Sequence, residues 1–272
     1  RLLEFDKQVQ RDRDQHPVFL HRRDRRFALD CHNQGVSPGP DRWLEHVRRL
    51  SRRRPTDDPL KFWRRLTTGF ALAGLVAGTL AMLGLLFYDG GQRINLTVIL
   101  AFVLLQCILA VVTTVQAFAG WQPWRWLLRK FTVARPSGAQ RTLQPLLMAR
   151  AAHTGGLAFG VAGLITLLVL VVIQDLAFGW STTLNTSTDS YYRMLSAIAT
   201  PWQHLWPAAM PDRELVDATR FFRSQSSTTT DPALWGSWWP FVPMVWMIYV
   251  VLPRLALLMV AIVHPQMRAR KA

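Results

Sequence analysis

Cysteine is nearly absent from this chain. Only Cys31 and Cys107 occur in 272 residues, the first in a charge-dense region and the second in the middle of an apolar run, so no structural disulfide is expected. Acidic residues are also scarce, 17 Asp+Glu against 32 Lys+Arg, and the formal charge is +15. Catalytic signatures are missing: there is no P-loop, no GxSxG and no HExxH. The seven histidines (His16, His21, His32, His46, His153, His204 and His264) are scattered, and neither Cys31-His32 nor any other pair has zinc-ligand spacing. The acids at Asp175, Asp189, Asp212, Glu214, Asp217 and Asp231 form no catalytic pair. These absences point away from an enzyme and predict no cofactor and no metal.

What the chain has is four long apolar stretches: Leu66 to Phe87, Leu96 to Ala119, Gly156 to Ile173 and Phe241 to Val263. Each approaches or exceeds the roughly 20 residues that a helix needs to cross a hydrocarbon core of about 30 Å. They mostly lack the polar stripe of a soluble helix. None contains Asp or Glu, and Arg254 is the only charge inside them. The expected fold is therefore all-α and polytopic, with four transmembrane helices.

Charge between the stretches alternates. Residues 1–65 hold 17 basic and 10 acidic residues, the link 88–95 one of each, and the link 120–155 six basic residues and no acid. Residues 174–240 hold four basic and six acidic residues, and the tail 264–272 three basic ones. Basic loops stay cytoplasmic, so the N-terminal region, the 120–155 link and the C-terminal tail are expected inside, and 88–95 and 174–240 outside, in the periplasm of a bacterium. A charge of +15 suggests nucleic acid at first sight. Because each basic cluster adjoins a membrane end, attraction to anionic lipid accounts for it better, and no nucleic-acid partner is expected. No cleavable signal peptide is legible.

The 1–65 region is expected to form short amphipathic helices without a core of its own. One of them is capped by Asp41 and carries Trp43, Leu44, Val47 and Leu50 on one face, opposite Arg48, Arg49, Arg52 and Arg53. In the 120–155 link, Trp121, Trp124, Arg125 and Trp126 have the mixture of the headgroup level and predict an interfacial segment. The Trp/Pro-rich segment 174–240 is expected to be helical over Tyr191–Thr200 and Asp212–Arg223 and to lie as a cap on the outer leaflet. Asn95 fits a glycosylation pattern but suits the cap of the second span better. His153 and Arg150, at the inner start of the third span, are expected near the headgroups.

Arg254 marks the candidate site. Counted along a fourth span starting at Phe241, it sits about nine residues, roughly 14 Å, above the inner end. A start near Leu234 would carry it to the inner headgroups, but would leave Leu255–Val263, which has no polar face, outside the core. A charge at depth normally faces protein or a watery cavity. Arg254 is thus a candidate anion, lipid-phosphate or pore residue, with Gln106, Thr113, Thr114 and Thr166 at comparable depth. The alternative is an arginine that snorkels or binds backbone carbonyls, such as that of Tyr249, which Pro253 frees. Gly74 and Gly78 in the first span and Gly156 and Gly160 in the third are GxxxG pairs, predicting close helix packing within the chain or between copies.

Several phrases occur together: Arg93-Ile94-Asn95-Leu96, Phe178-Gly179-Trp180-Ser181-Thr182-Thr183-Leu184, Leu215 to Phe221, Trp239-Pro240-Phe241 and Leu252-Pro253-Arg254. With them the chain resembles, over most of its length, a bacterial inner-membrane family known only as a domain of unknown function. Genes of that family commonly neighbour one for a predicted GTPase with its own uncharacterised C-terminal domain. The resemblance implies a bacterial cytoplasmic membrane and a cytoplasmic GTPase partner, and brings no catalytic residues. The expectation for function is a homo-oligomeric channel- or transport-like membrane subunit, coupled to that GTPase. The alternative is a non-conducting scaffold that recruits it.

Overall fold

The computed structural model describes residues 2–50, 59–88, 93–119, 138–221 and 232–271. They fall into two compact units, residues 1–66 with 120–147 and residues 67–119 with 148–272. Trp121, Trp124, Arg125 and Trp126 lie outside the described residues.

In the first unit, α1 (Leu2–Asp12), α2 (Pro17–Asn33) and α3 (Pro40–Leu50) follow one another. His16 caps α2 by accepting from the Val18 amide, with Pro17 pre-set at the first turn. The helix closes at Gly35, whose φ of 64° favours glycine. α3 begins at Pro40, one residue before its expected cap, because the Gly39 carbonyl already accepts from the Trp43 amide.

This region does build a small core, against expectation. Phe27 and Cys31 of α2 and Leu44 and Val47 of α3 recur at helical spacing and are buried together. Charge completes the packing. The Arg23 guanidinium donates to both Asp12 oxygens at 3.0 and 2.8 Å and to Asp24 at 2.9 Å, and lies 4.9 Å from the Trp43 ring centroid. Trp43 donates its indole N–H to Asp24 at 2.9 Å.

Burial alone would raise the Asp24 carboxyl, but hydrogen bonds from Arg23 and Trp43 and the charges of Arg23 and His46 hold it below its ordinary value. A depressed carboxylate stabilises the fold above its unfolded pKa, and that contribution is lost as pH falls through the lower folded value. Helicity of this unit should therefore weaken below about pH 4, and the loss should be smaller in Asp24→Asn, as circular dichroism of the full chain against pH would show.

The second unit contains α5 (Leu96–Ala119) and, from residues 67 and 148 onward, most of the long apolar helices α4 (Pro59–Phe87) and α6 (Gly138–Ile173). With the run Ala233–Val263 they make four segments long and apolar enough to cross a membrane. The bounds of α5 are those expected, whereas α4 and α6 extend beyond the apolar stretches towards the chain's basic segments.

The fourth segment is broken. After α9 (Pro232–Gly236) the chain turns through Ser237–Pro240, continues as α10 (Phe241–Trp246), widens into a π turn over Met247–Val251 and ends as α11 (Leu252–Lys271). The widening has a cause: Pro253 has no N–H to offer the preceding turn.

The 174–221 segment has a buried aromatic core. Of its tryptophans and those leading to α10, Trp180, Trp202, Trp235 and Trp238 are buried, while Trp206 and Trp239 are exposed. Indole buries well only if its N–H finds an acceptor. Trp180 donates to Val216 O at 2.6 Å, Trp202 to Ala209 O at 3.3 Å and Trp238 to Thr219 Oγ1 at 3.0 Å.

α7 (Thr188–Ala199), capped by Ser187, contributes Tyr191, which stacks on Trp180. Of the acceptors, Val216 lies in α8 (Arg213–Ala218), capped by Asp212, Thr219 directly follows that helix, and Ala209 ends a short 3-10 turn. α8 stops well short of Arg223 because Trp180 captures the chain after it. Trp180 N–H donates to Thr219 O, and Phe221 N–H donates to Trp180 O.

The fold is thus helical with a small β element. β1 (Ile94–Asn95) pairs in parallel with β2 (Phe178–Gly179). Asn95 both caps α5, accepting from Thr97 N at 3.0 Å, and holds Ser181, donating to its carbonyl at 3.0 Å. Tyr191 stacks on Trp180 at 4.0 Å and shares a hydrogen bond with Thr97. Burial pushes its phenol up to about 12 despite that bond, so it stays neutral at any ordinary pH.

Candidate functional site

Helix packing in the second unit is set by one glycine-lined face on α4 and two on α6. A Cβ on Gly74 or Gly78 would collide with the backbone carbonyls of Gly155 and Phe159. A Cβ on Gly156 would lie 2.9 Å from Cζ and Nε of Arg254, and one on Gly160 would lie 3.3 Å from Val250 and Val251. The two GxxxG pairs therefore pack inside one chain: the first seats α4 on α6, the second seats the fourth segment on α6. Trp246 locks the latter contact by donating to Gly160 O at 2.8 Å, with its ring stacked against Phe102 and Phe159.

Arg254 lies flat against Gly156 and is only 6 % exposed. Measured along α6, Gly156 is about 25 Å from Ile173 and about 9 Å from the exposed Arg150 at the basic end. The guanidinium does not reach out to that end. The Tyr249 carbonyl, freed by Pro253, accepts from the Cys107 thiol at 3.2 Å and takes no hydrogen bond from Arg254 among the described residues. Among the described residues Arg254 has no hydrogen bond and no carboxylate. Its electrostatic neighbours are Cys107 and His153.

His153 was expected near headgroups but is 2 % exposed. It precedes Gly156 by three residues and so shares its helix face. Its Nε2 is 3.4 Å from Thr114 Oγ1, and its Nδ1 is enclosed without a partner.

Of the polar residues expected around Arg254, only Thr114 joins this cluster, through His153. Its own hydroxyl donates to Ala110 O at 2.8 Å. Thr113 and Thr166 spend their hydroxyls on the carbonyls of Leu109 and Ala162 in their own helices. Thr166 is also about 15 Å from Gly156 along α6, and Gln106 about 12 Å from Thr114 along α5. Gln106 makes no hydrogen bond among the described residues. His153 and Cys107 were missed as site residues. A signal for His153 existed, its spacing from Gly156. Cys107 carried a weaker one, seven residues before Thr114 on the face of Ile99, Val103 and Ala110.

No group of three or more His, Cys, Asp or Glu among the described residues could hold a metal. The fold and site define a helical protein with four membrane-length segments and one arginine enclosed among them. The family model described as "Protein of unknown function (DUF2868)" matches residues 109–272, and the chain belongs to that family. That match contains Thr114, His153, Gly156 and Arg254, but not Gly74, Gly78 or Cys107. No curated protein and no solved structure matches the chain.

Proposed function

We propose that the protein is a multi-pass subunit of an oligomeric channel- or transport-like assembly in a bacterial cytoplasmic membrane, with both basic termini and the 120–155 link inside. The observation that carries this reading is the enclosed arginine. A charge kept at depth without a carboxylate is costly and is retained where something charged must be met. Between 17 and 33 % of the residues in each apolar window are buried within the chain, so most of that surface is left for lipid or for further copies. Four spans are few for a transporter acting alone, which favours assembly. The reconstituted full chain should pass ions across liposomes, and Arg254→Leu should change the rate about tenfold or its selectivity. Absence of flux in wild type under all conditions, including with the cytoplasmic GTPase added, overturns the reading.

A second reading is favoured by the folded first unit. Three helices with a buried ion pair make a rigid docking module, suited to a scaffold that recruits the GTPase without conducting. Pull-down of the GTPase by the full chain should then be lost when residues 1–50 are deleted, with the apolar segments still inserted. Unchanged recovery removes this alternative.

A further inference from the structure

We infer that Arg254 anchors a site for a phosphate-class oxyanion inside the helix bundle, with His153 as its flanking group. The inference rests on the four segments crossing a membrane, and not on the protein conducting.

Charge balance comes first. A guanidinium carries five donors and stays protonated at any ordinary pH. None of the four apolar stretches contains Asp or Glu, and neither does the 120–155 link. A second copy of the chain would therefore bring no carboxylate to this depth. The Tyr249 carbonyl accepts from Cys107 and, being neutral, would not balance the charge of Arg254. Neither the four apolar stretches nor the 120–155 link supplies a countercharge, which leaves room for one from outside the chain.

Geometry says where it would bind. Gly156 leaves a gap that the guanidinium fills, so Arg254 is held among the helices and does not extend towards the basic end. On the same face, His153 presents Nδ1, an enclosed nitrogen with no partner. Arg254 keeps 6 % of its surface exposed. Both groups have unmet hydrogen-bonding capacity in an apolar bundle and carry a desolvation cost. The oxyanion accepts from the Arg254 guanidinium directly, and from His153 in the tautomer with its proton on Nδ1, in which Thr114 turns its hydroxyl from Ala110 O to donate to Nε2. An oxygen anion would approach Arg254 from its open side. The unbranched side chain, tied by no hydrogen bond among the described residues, can move off Gly156 to admit it.

The class of anion follows from the fork. Parallel N–H donors fit two oxygens of one planar or tetrahedral oxyanion, a geometry a halide cannot use. Phosphate is supplied by two sources here: a phospholipid headgroup drawn about 9 Å inward from the level of Arg150, or a dissolved anion entering by a wet path.

The full chain in micelles of a phosphate-free maltoside detergent separates them. One arm adds inorganic phosphate to the buffer, and the other adds phosphatidylglycerol to the micelles. Bound probe is counted by native mass spectrometry and by the rise in melting temperature. Wild type should retain one probe per chain. Arg254→Gln should weaken binding about tenfold or more, the loss expected for hydrogen bonds to a charged group. Arg254→Lys, which keeps charge without the fork, and His153→Phe, which keeps the arginine, should each weaken it by a smaller factor. The latter two also serve if Arg254→Gln does not fold. Thr113→Val is the control and should bind as wild type. Retention of phosphatidylglycerol alone identifies a lipid-borne ligand, and retention of phosphate alone a dissolved one. Wild type binding neither probe, or the Arg254 and His153 variants binding as wild type, overturns the site. Because no flux is read, this failure is distinct from failure of the transport reading.

Discussion

Gly78→Leu should abolish the folded bundle. The Cβ of any residue at 78 would fall inside contact range of the Phe159 carbonyl, and at 74 of the Gly155 carbonyl. Both obstacles are helical backbone, which cannot rotate away as a side chain can. The helices α4 and α6 would have to part, losing dispersion contacts along the crossing and the alignment that α6 gives to the fourth segment. Over-packing normally costs about 1–3 kcal/mol, and a backbone obstacle places this change at or above the upper end. Even Gly78→Ala should be clearly destabilising. Gly69 and Gly84 supply the internal comparison, because a Cβ at either meets nothing within 4 Å. Alanine there should be neutral or stabilising by up to about 1 kcal/mol, since glycine is the poorer helix former. Thermal melting of the detergent-solubilised chain, read by size-exclusion chromatography, checks all four variants. Equal melting of Gly78→Ala and Gly84→Ala would mean that α4 and α6 do not cross as described.

Trp180→Ala should produce the largest loss in the segment joining the third and fourth apolar helices. Trp180 is fully buried, stacks on Tyr191 at 4.0 Å, and lies 4.9 Å from the Arg220 guanidinium. Its indole donates to Val216 O at 2.6 Å. Truncating a buried tryptophan costs about 3–5 kcal/mol through lost transfer energy and the cavity left, and the Val216 carbonyl would lose its indole donor as well. The backbone bonds from Trp180 to Thr219 and Phe221 depend on the same placement. The expected result is early protease cleavage within 181–221, with the apolar helices still protected. Trp180→Phe should recover most of the packing but not the hydrogen bond. Protection equal to wild type in the alanine variant would show that the helices alone hold this segment.

The sequence by itself determined the number of membrane-length segments and their places, because a solvent as simple as hydrocarbon demands only length and the absence of charge. The bounds of α5 could be read to the residue, since Asn95 and the start of the apolar run coincide there. It also singled out Arg254, the one charge in those stretches, and marked Gly74, Gly78, Gly156 and Gly160 as surfaces of close approach.

Tertiary structure decided what each of these touches. GxxxG spacing is the same whether the partner helix belongs to the chain or to a copy, and only the crossing of α4 and α6 assigns it. Residues 1–50 form a core because Arg23 ties α2 to Asp12 of α1 and Trp43 ties α3 to Asp24 of α2, contacts between helices that composition does not reveal. Likewise, the tryptophans of 174–240 have the composition of a membrane interface, and it is the acceptors at Val216, Ala209 and Thr219, distant in sequence, that turn them inward. The depth of Arg254 counted along its own helix suggested polar neighbours at matching heights. Packing put it instead on Gly156 beside His153, because a neighbour is chosen by which faces meet and not by height alone.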